Sequence, residues 1–200
     1  MARQARTRAR GADRAERSDK QRNRKRIVEA AASLIDERGV DVPLEEIARR
    51  AGVGSATMHR HFGNRADLFE AVFVGEAEEI AARARALTAG GDLARALGNW
   101  LRELYLNAAS SRGLARSLAG TSEQVGRDGP SCLSIVLDGG AELLDRARAA
   151  GVVNDGVELQ ELVALVLGVV LVIDEGVGGD VNPQRLVELI IGLAVAPRPI

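Results

Sequence analysis

The residues with most chemistry to offer crowd into one short stretch, AGVGSATMHRHF, residues 51–62. It holds both histidines of the chain, His59 and His61, with Arg60 between them and the turn Gly52-Val53-Gly54 in front. Metal ligation, phosphate binding by a glycine loop and contact with DNA all use such residues. Metal ligation fails on geometry: helical residues two apart point about 200° away from each other, whereas helical metal pairs stand three or four apart. No third ligand lies nearby, and Cys132 is the only cysteine, so there is no CxxC or Cys/His spacing. Neither a metal nor a cofactor is expected. A nucleotide loop fails as well, because no strand pattern precedes the glycines and neither GKS/GKT nor a full GxGxxG is present.

DNA contact fits the pattern. On a helix starting at Ser55 and turning about 100° per residue, Met58 and Phe62 share one side, which Val53 joins from the turn. His59, Ala56, Arg60, Thr57 and His61 fan across the other side. Gly54, Ser55 and Ala56 allow close approach of the backbone, and free N–H groups at a helix start suit a phosphate. Thr57 suits a phosphate or a thymine methyl, and Arg60 a bidentate guanine contact. Arg65, just past the helix, suits a further phosphate.

Such a helix needs others to position it. Leu44, Ile47, Ala48 and Ala51 form a stripe about 100° wide on a helix that Pro43 can open and Gly52 can close. With the stretch after it, this makes a helix-turn-helix. Ile27, Ala30, Ala31, Leu34 and Ile35 mark an earlier helix over 20–38, stopped by Gly39. Asn64 and Asp67 make a capping-box pattern for a fourth helix, which Leu68, Phe69, Val72, Phe73, Ala77, Ile80, Ala84 and Leu87 carry to Gly90-Gly91. Further helices are expected over 92–110, 112–119, 130–150, 157–175 and 183–196, between turn-like separators. The fold class is therefore all-α, with strand-like alternation almost nowhere. A three-helix DNA-binding domain over 20–65 precedes a helical ligand-binding and dimerisation domain over 66–200.

Charge is split along the chain. Residues 1–26 carry 11 Lys or Arg against 3 Asp or Glu, and the remainder 16 against 25. A basic arm over 1–19 on an acidic body points to polyanion contact at one end, the arm being a flexible tail. No apolar h-region follows the N-terminal arginines, and the apolar run 162–173 is shorter than the roughly 20 residues that span a bilayer. The expectation is a cytoplasmic protein with no membrane partner.

In order and spacing, IVEAAASLIDERG, IARRAGVGSATMHRHF and NRADLFEAV resemble the TetR family of bacterial transcription regulators, across roughly residues 22–73. The resemblance implies that Gly54, Ser55, Ala56, Thr57, His59, Arg60, His61 and Arg65 face double-stranded DNA. Three positions depart from the family pattern. Pro43 stands where a capping, phosphate-touching Ser or Thr is common, His59 replaces a common tyrosine, and Met58 a common leucine.

The second half resembles the family's regulatory domain in LLDRARAAGVVNDGV and LQELVALVLGVVLVIDEG. This implies a pocket for a small-molecule effector, of unknown identity, among the middle helices. Trp100, Leu104 and Tyr105 on one helix face are candidates to line it, with Thr121, Gln124, Cys132 and Asp138 as polar contacts. The residues themselves suggest a homodimer. The helix over 159–173 is apolar nearly all round, more than one chain of this size needs to cover. Leu162, Val166, Val169, Val170 and Ile173, with Leu186, Leu189, Ile190 and Leu193 of the final helix, are the interface candidates. Gly168 and Gly192 would permit close approach. Such a dimer sets two recognition helices on a pseudo-palindromic operator.

The function expected is a ligand-responsive dimeric repressor, and not an enzyme. An enzyme using Ser131, Cys132, Asp138 or Glu142 would lack a histidine base, both histidines lying on the DNA face. The other alternative is a helix-turn-helix module that binds a protein partner without specific DNA binding.

Overall fold

Glycine and proline punctuation divides the chain into helices, as the sequence pattern predicts. The computed structural model describes residues 2–111, 113–119, 131–177 and 179–195, with side chains from Ser18 onward. Among the described residues there are nine helices: α1 Ala2–Arg38, α2 Leu44–Ala51, α3 Ser55–His61, α4 Arg65–Thr88, α5 Leu93–Ser110, α6 Leu114–Ala119, α7 Cys132–Ala149, α8 Leu159–Asp174 and α9 Pro183–Ala194. The all-α class holds. One isolated bridge pairs Val153 with Val195.

Two boundaries differ from the sequence expectation. The backbone of α1 is helical from Ala2, so the arm expected to be a flexible tail is drawn into the helix. Its alanines and arginines are among the best helix formers, and no proline interrupts them. The chain also separates into units over Met1–Val72 and Phe73–Ile200, a division inside α4 and not at residue 65.

In the first unit, Ile27, Ala31 and Leu34 of α1 meet Ile47 and Ala51 of α2, Met58 and Phe62 from the α3 segment, and Leu68 of α4. Each of the large side chains buried here contributes about 1.5–3 kcal/mol, an upper estimate that ignores residual burial in the unfolded chain.

The second unit packs α5 through α9 with the C-terminal part of α4. Asp92, Ser131 and Asn182 cap α5, α7 and α9 by accepting from the backbone N–H groups of Arg95, Ser134 and Arg185. Trp100 is fully buried and donates its indole N–H to the Ile80 carbonyl at 3.1 Å. Two glycines on α7 make room for neighbours: a Cβ at Gly140 would lie 2.7 Å from the Trp100 ring, and one at Gly139 would lie 2.4 Å from the Ala81 Cβ on α4.

Candidate nucleic-acid interface

The position of α3 is set by how α2 ends. Gly52 adopts a left-handed conformation, φ 65°, which a side chain would strain. Its N–H bonds the Arg49 carbonyl at 3.1 Å, and the Val53 N–H bonds that of Ala48 at 3.0 Å, satisfying the last carbonyls of α2. Arg26 of α1 donates to the Gly52 carbonyl. The chain then re-enters a helix at Ser55, with the Thr57 and Met58 N–H groups both reaching Gly54 O.

Ion pairs fix α2 against α1. Arg50 grips both oxygens of Glu37, at 3.0 and 2.9 Å, and Arg38 meets Glu46 at 2.6 Å. The Arg50 hydrogen bond, with a second from Ser33, holds the Glu37 carboxyl down at about 2. Arg38, Glu37 and Arg50 lie at the surface and Glu46 is partly buried, so the service of these pairs is orientation more than stability.

On α3 only Met58 is buried. Gly54, Ser55, Ala56, His59 and Arg60 are exposed, while Thr57 and His61 are partly buried. The residues expected to meet DNA thus form one outward surface, apart from Arg65. Arg60 lies along its own helix, Nε donating to the Ala56 carbonyl at 3.2 Å and an Nη to Thr57 Oγ1 at 3.1 Å. It must exchange these weak local bonds to reach a base. Arg65 is partly buried, donates to the Val40 carbonyl, and lies over the Phe69 ring at 5.0 Å. Its guanidinium ties the start of α4 to the α1–α2 loop, a duty that the sequence did not show. Asn64 Oδ1 accepts from the Asp67 N–H at 2.9 Å, half of the expected capping box.

A family model described as "Bacterial regulatory proteins, tetR family" matches residues 27–72, which contain α2, α3 and the turn between them. A second, "Transcriptional regulator SbtR-like, C-terminal domain", matches residues 92–195, more than half of the chain. The chain belongs to the tetR family of regulators. It carries two domains of such a regulator, the first of them holding α2, the turn and α3. An HTH-type transcriptional regulator of Staphylococcus aureus (strain USA300) is 43% identical over 53 residues, covering 26% of this chain and 29% of that protein. The match therefore spans less than a third of that relative's length. The structure of TetR transcriptional regulator SCO0520 from Streptomyces coelicolor is similar with a TM-score of 0.52 and 29% identity, covering 87% of this chain and 99% of that one. RolR, solved in complex with resorcinol, shares the fold with a TM-score of 0.63 and 21% identity, covering 88% of this chain and 89% of that one.

The C-terminal half of this tetR-family chain encloses most of the residues named as effector candidates. Trp100, Leu104, Tyr105 and Cys132 are buried, and Asp138 is exposed. Thr121 and Gln124 lie outside the described residues. Trp100 has already committed its one polar group to Ile80. Two buried polar atoms find no hydrogen-bond partner among the described residues: Ser117 Oγ on α6 and Glu76 Oε2 on α4. Neither stands out in the sequence, where a serine or glutamate on an amphipathic helix looks like ordinary surface. An open groove of about 830 Å³ lies elsewhere, between Arg95, Asn99 and Arg102 of α5 and Glu188 and Gly192 of α9, and no expected effector residue lines it.

The interface candidates also divide. Leu162, Val166, Val169, Val170 and Ile190 are buried within the chain, where they hold α8 and α9 to their neighbours. Ile173 and Leu186 are partly buried, and Leu189 and Leu193 are exposed. The outward stripe of α8 is Leu165, Gly168 and Val172, spaced three and four apart. Among the described residues no helix is long and apolar enough to cross a membrane.

Proposed function

We propose that this regulator is a ligand-responsive dimeric repressor that reads a two-fold symmetric DNA site with α3. The observation that carries the DNA-reading part is the polarity of α3: its inner side is fastened by Met58 while Ser55, Ala56, His59 and Arg60 stand exposed. Arg60 would discriminate one base position, and Gly54, Ser55, Thr57 and His61 would hold the backbone. Arg65 supports the surface from behind and keeps its carbonyl partner.

Dimerisation is supported by the apolar strip that α8 and α9 leave uncovered. Leu165, Val172, Leu189 and Leu193 are 44–73% exposed, with Gly168 and Gly192 beside them. A two-fold axis through this strip would bury each residue twice. The partner-facing set is therefore Leu165, Gly168, Val172, Leu189 and Leu193, in place of the enclosed Leu162, Val166 and Val170.

Effector response is supported by the buried Ser117 Oγ and Glu76 Oε2, which find no partner among the described residues and cost energy until a ligand or water satisfies them. The solved complex of RolR with resorcinol supplies a precedent for a small organic ligand on this fold. α4 contributes to both units, so a ligand that favours one setting of α4 can lower DNA affinity, typically through about 1–3 kcal/mol of coupling.

Selection from a random duplex library, followed by salt-titrated anisotropy on the recovered and a scrambled sequence, tests the DNA reading. A two-fold symmetric sequence preferred by about 10³ or more is the expected result. Equal weak binding to all duplexes would overturn it in favour of a protein-binding module.

A further inference from the structure

Arg60 is stowed against the helix that carries it. Its side chain runs back toward the N-terminus of α3, the direction in which helical side chains lean. There Nε donates to the Ala56 carbonyl at 3.2 Å and an Nη donates to Thr57 Oγ1 at 3.1 Å. Both donors belong to one edge of the guanidinium fork. Ion pairs elsewhere in this unit go to other cations, Glu37 to Arg50 and Glu46 to Arg38 and Arg49. Thr57 is partly buried and, being β-branched, restricted at χ1, whereas Arg60 is exposed. The hydroxyl is therefore the fixed partner and the guanidinium the moving one.

A resting place for Arg60 changes how sharply it can read DNA. On a duplex that offers guanine, the side chain extends and gives up both local bonds for a bidentate contact. On a duplex with another base at that position it keeps them, and loses nothing by staying. Discrimination is the difference between these two outcomes, so each bond in the resting place softens the preference for guanine. We propose that Thr57 sets the specificity of Arg60 in this way: its hydroxyl holds the arginine back, and the arginine leaves only where a guanine edge replaces what it gives up. Thr57 is a positioning residue here, acting on the base through Arg60. This deepens the DNA-reading proposal and rests on it. It adds to Thr57 a duty beside backbone contact, and it carries a sign: removing the hydroxyl sharpens recognition.

The size is that of one hydrogen bond, about two- to tenfold in an equilibrium. Thr57→Val keeps the branched shape and removes the acceptor. The free protein and the complex with the wrong base both lose the bond, while the complex with guanine has already given it up. Affinity for the guanine duplex should therefore rise about two- to tenfold relative to a duplex changed at that position. Loss of a contact from Thr57 to phosphate lowers both affinities by the same factor and leaves their ratio untouched.

The test uses the full chain, the duplex recovered by selection, and the same duplex replaced at the base pair where Arg60→Ala loses its preference. Anisotropy at fixed ionic strength gives the ratio of the two affinities for the wild type, Thr57→Val, Thr57→Ser, Arg60→Ala and the double variant. The ratio should rise in Thr57→Val, stay at the wild-type value in Thr57→Ser, which retains the hydroxyl, and fall in Arg60→Ala. In the double variant it should equal that of Arg60→Ala, since no arginine is left to hold back. A merely structural role for Thr57 would act whether or not Arg60 is present. NMR relaxation of the Arg60 Nε–Hε group in the free wild type needs no variant to fold, and a restrained group is expected. An unchanged or lowered ratio in Thr57→Val overturns the proposal, as does an equal rise in the Arg60→Ala background or an Nε–Hε group as mobile as a freely solvated arginine. If Arg60→Ala loses preference at no position, the assignment of base reading to Arg60 itself falls, which is a distinct failure.

Discussion

Gly139→Ala sets two opposing effects of one methyl group against each other. A Cβ at this position on α7 would lie 2.4 Å from Ala81 Cβ, 2.5 Å from Ala81 Cα and 3.0 Å from Ala81 O on α4. Carbon pairs rest at about 3.5–4.0 Å, so the methyl is short of room by about 1 Å. The obstacle is largely backbone, which no rotamer change relieves, and the two helices must move apart. Overpacking of this kind costs typically 1–3 kcal/mol, and rigid neighbours place this site near about 3. The same change gains about 1 kcal/mol in helix propensity. The expected net loss is about 2 kcal/mol, or a fall in Tm of roughly 4–8 °C for a chain of this size.

Gly75→Ala in α4 supplies the reference. Among the described residues nothing beyond the adjoining backbone of α4 lies within 4 Å of its added Cβ, so propensity acts alone and Tm should rise by about 2–4 °C. Thermal unfolding followed by far-ultraviolet circular dichroism, at one protein concentration because association also shifts Tm, reads both variants. A Gly139→Ala protein as stable as the wild type, or two variants shifting in the same direction, would refute the close α4–α7 crossing.

Leu193→Glu, at a residue 73% exposed within the chain, should raise the dimer dissociation constant by about 10² or more in analytical ultracentrifugation, since an isologous interface loses the leucine twice. Helicity should be unchanged; a dimer of undiminished strength would remove this strip from the interface. Arg60→Ala should cost about 1–3 kcal/mol of discrimination at one base position in repeated site selection, with Tm preserved because the Arg60 hydrogen bonds among the described residues stay within its own helix. Glu37→Gln should change the acid limb of stability. The folded carboxyl is held at about 2 against an ordinary 4.5, so its contribution is present above 4.5 and is lost as pH falls towards about 2. Urea unfolding should show the wild type and variant converging over that interval; a constant difference would refute the Arg50–Glu37 assignment.

Family membership and the helix-turn-helix were legible in the sequence because their signals are local. Gly52 closes α2 through its own φ, Asn64 caps α4 three residues from its partner, and the three- and four-residue spacing from Ile27 to Leu34 states which side of α1 is inner. Each of these works within a turn or two of chain. The surface of α3 was legible for the same reason, since a short helix with a single buried side chain has only one way to face.

The tertiary structure decided what no local pattern contains. α8 is apolar nearly all round, so its sequence could not say that Val166 turns inward and Leu165 outward; only the positions of α5, α6, α7 and α9 settle which side is covered. Trp100 offered an aromatic ring with a polar handle, and the distant Ile80 carbonyl took that handle. Arg65 stood beside the recognition helix in sequence, yet the Val40 carbonyl claims it. Arg24 comes from a different helix altogether, and it lies over the Phe62 ring only because α1 packs into the core that Phe62 joins. Sequence determines what each residue can do over a few ångströms of its own chain, while the partners of a side chain across helices depend on packing that the whole chain makes together.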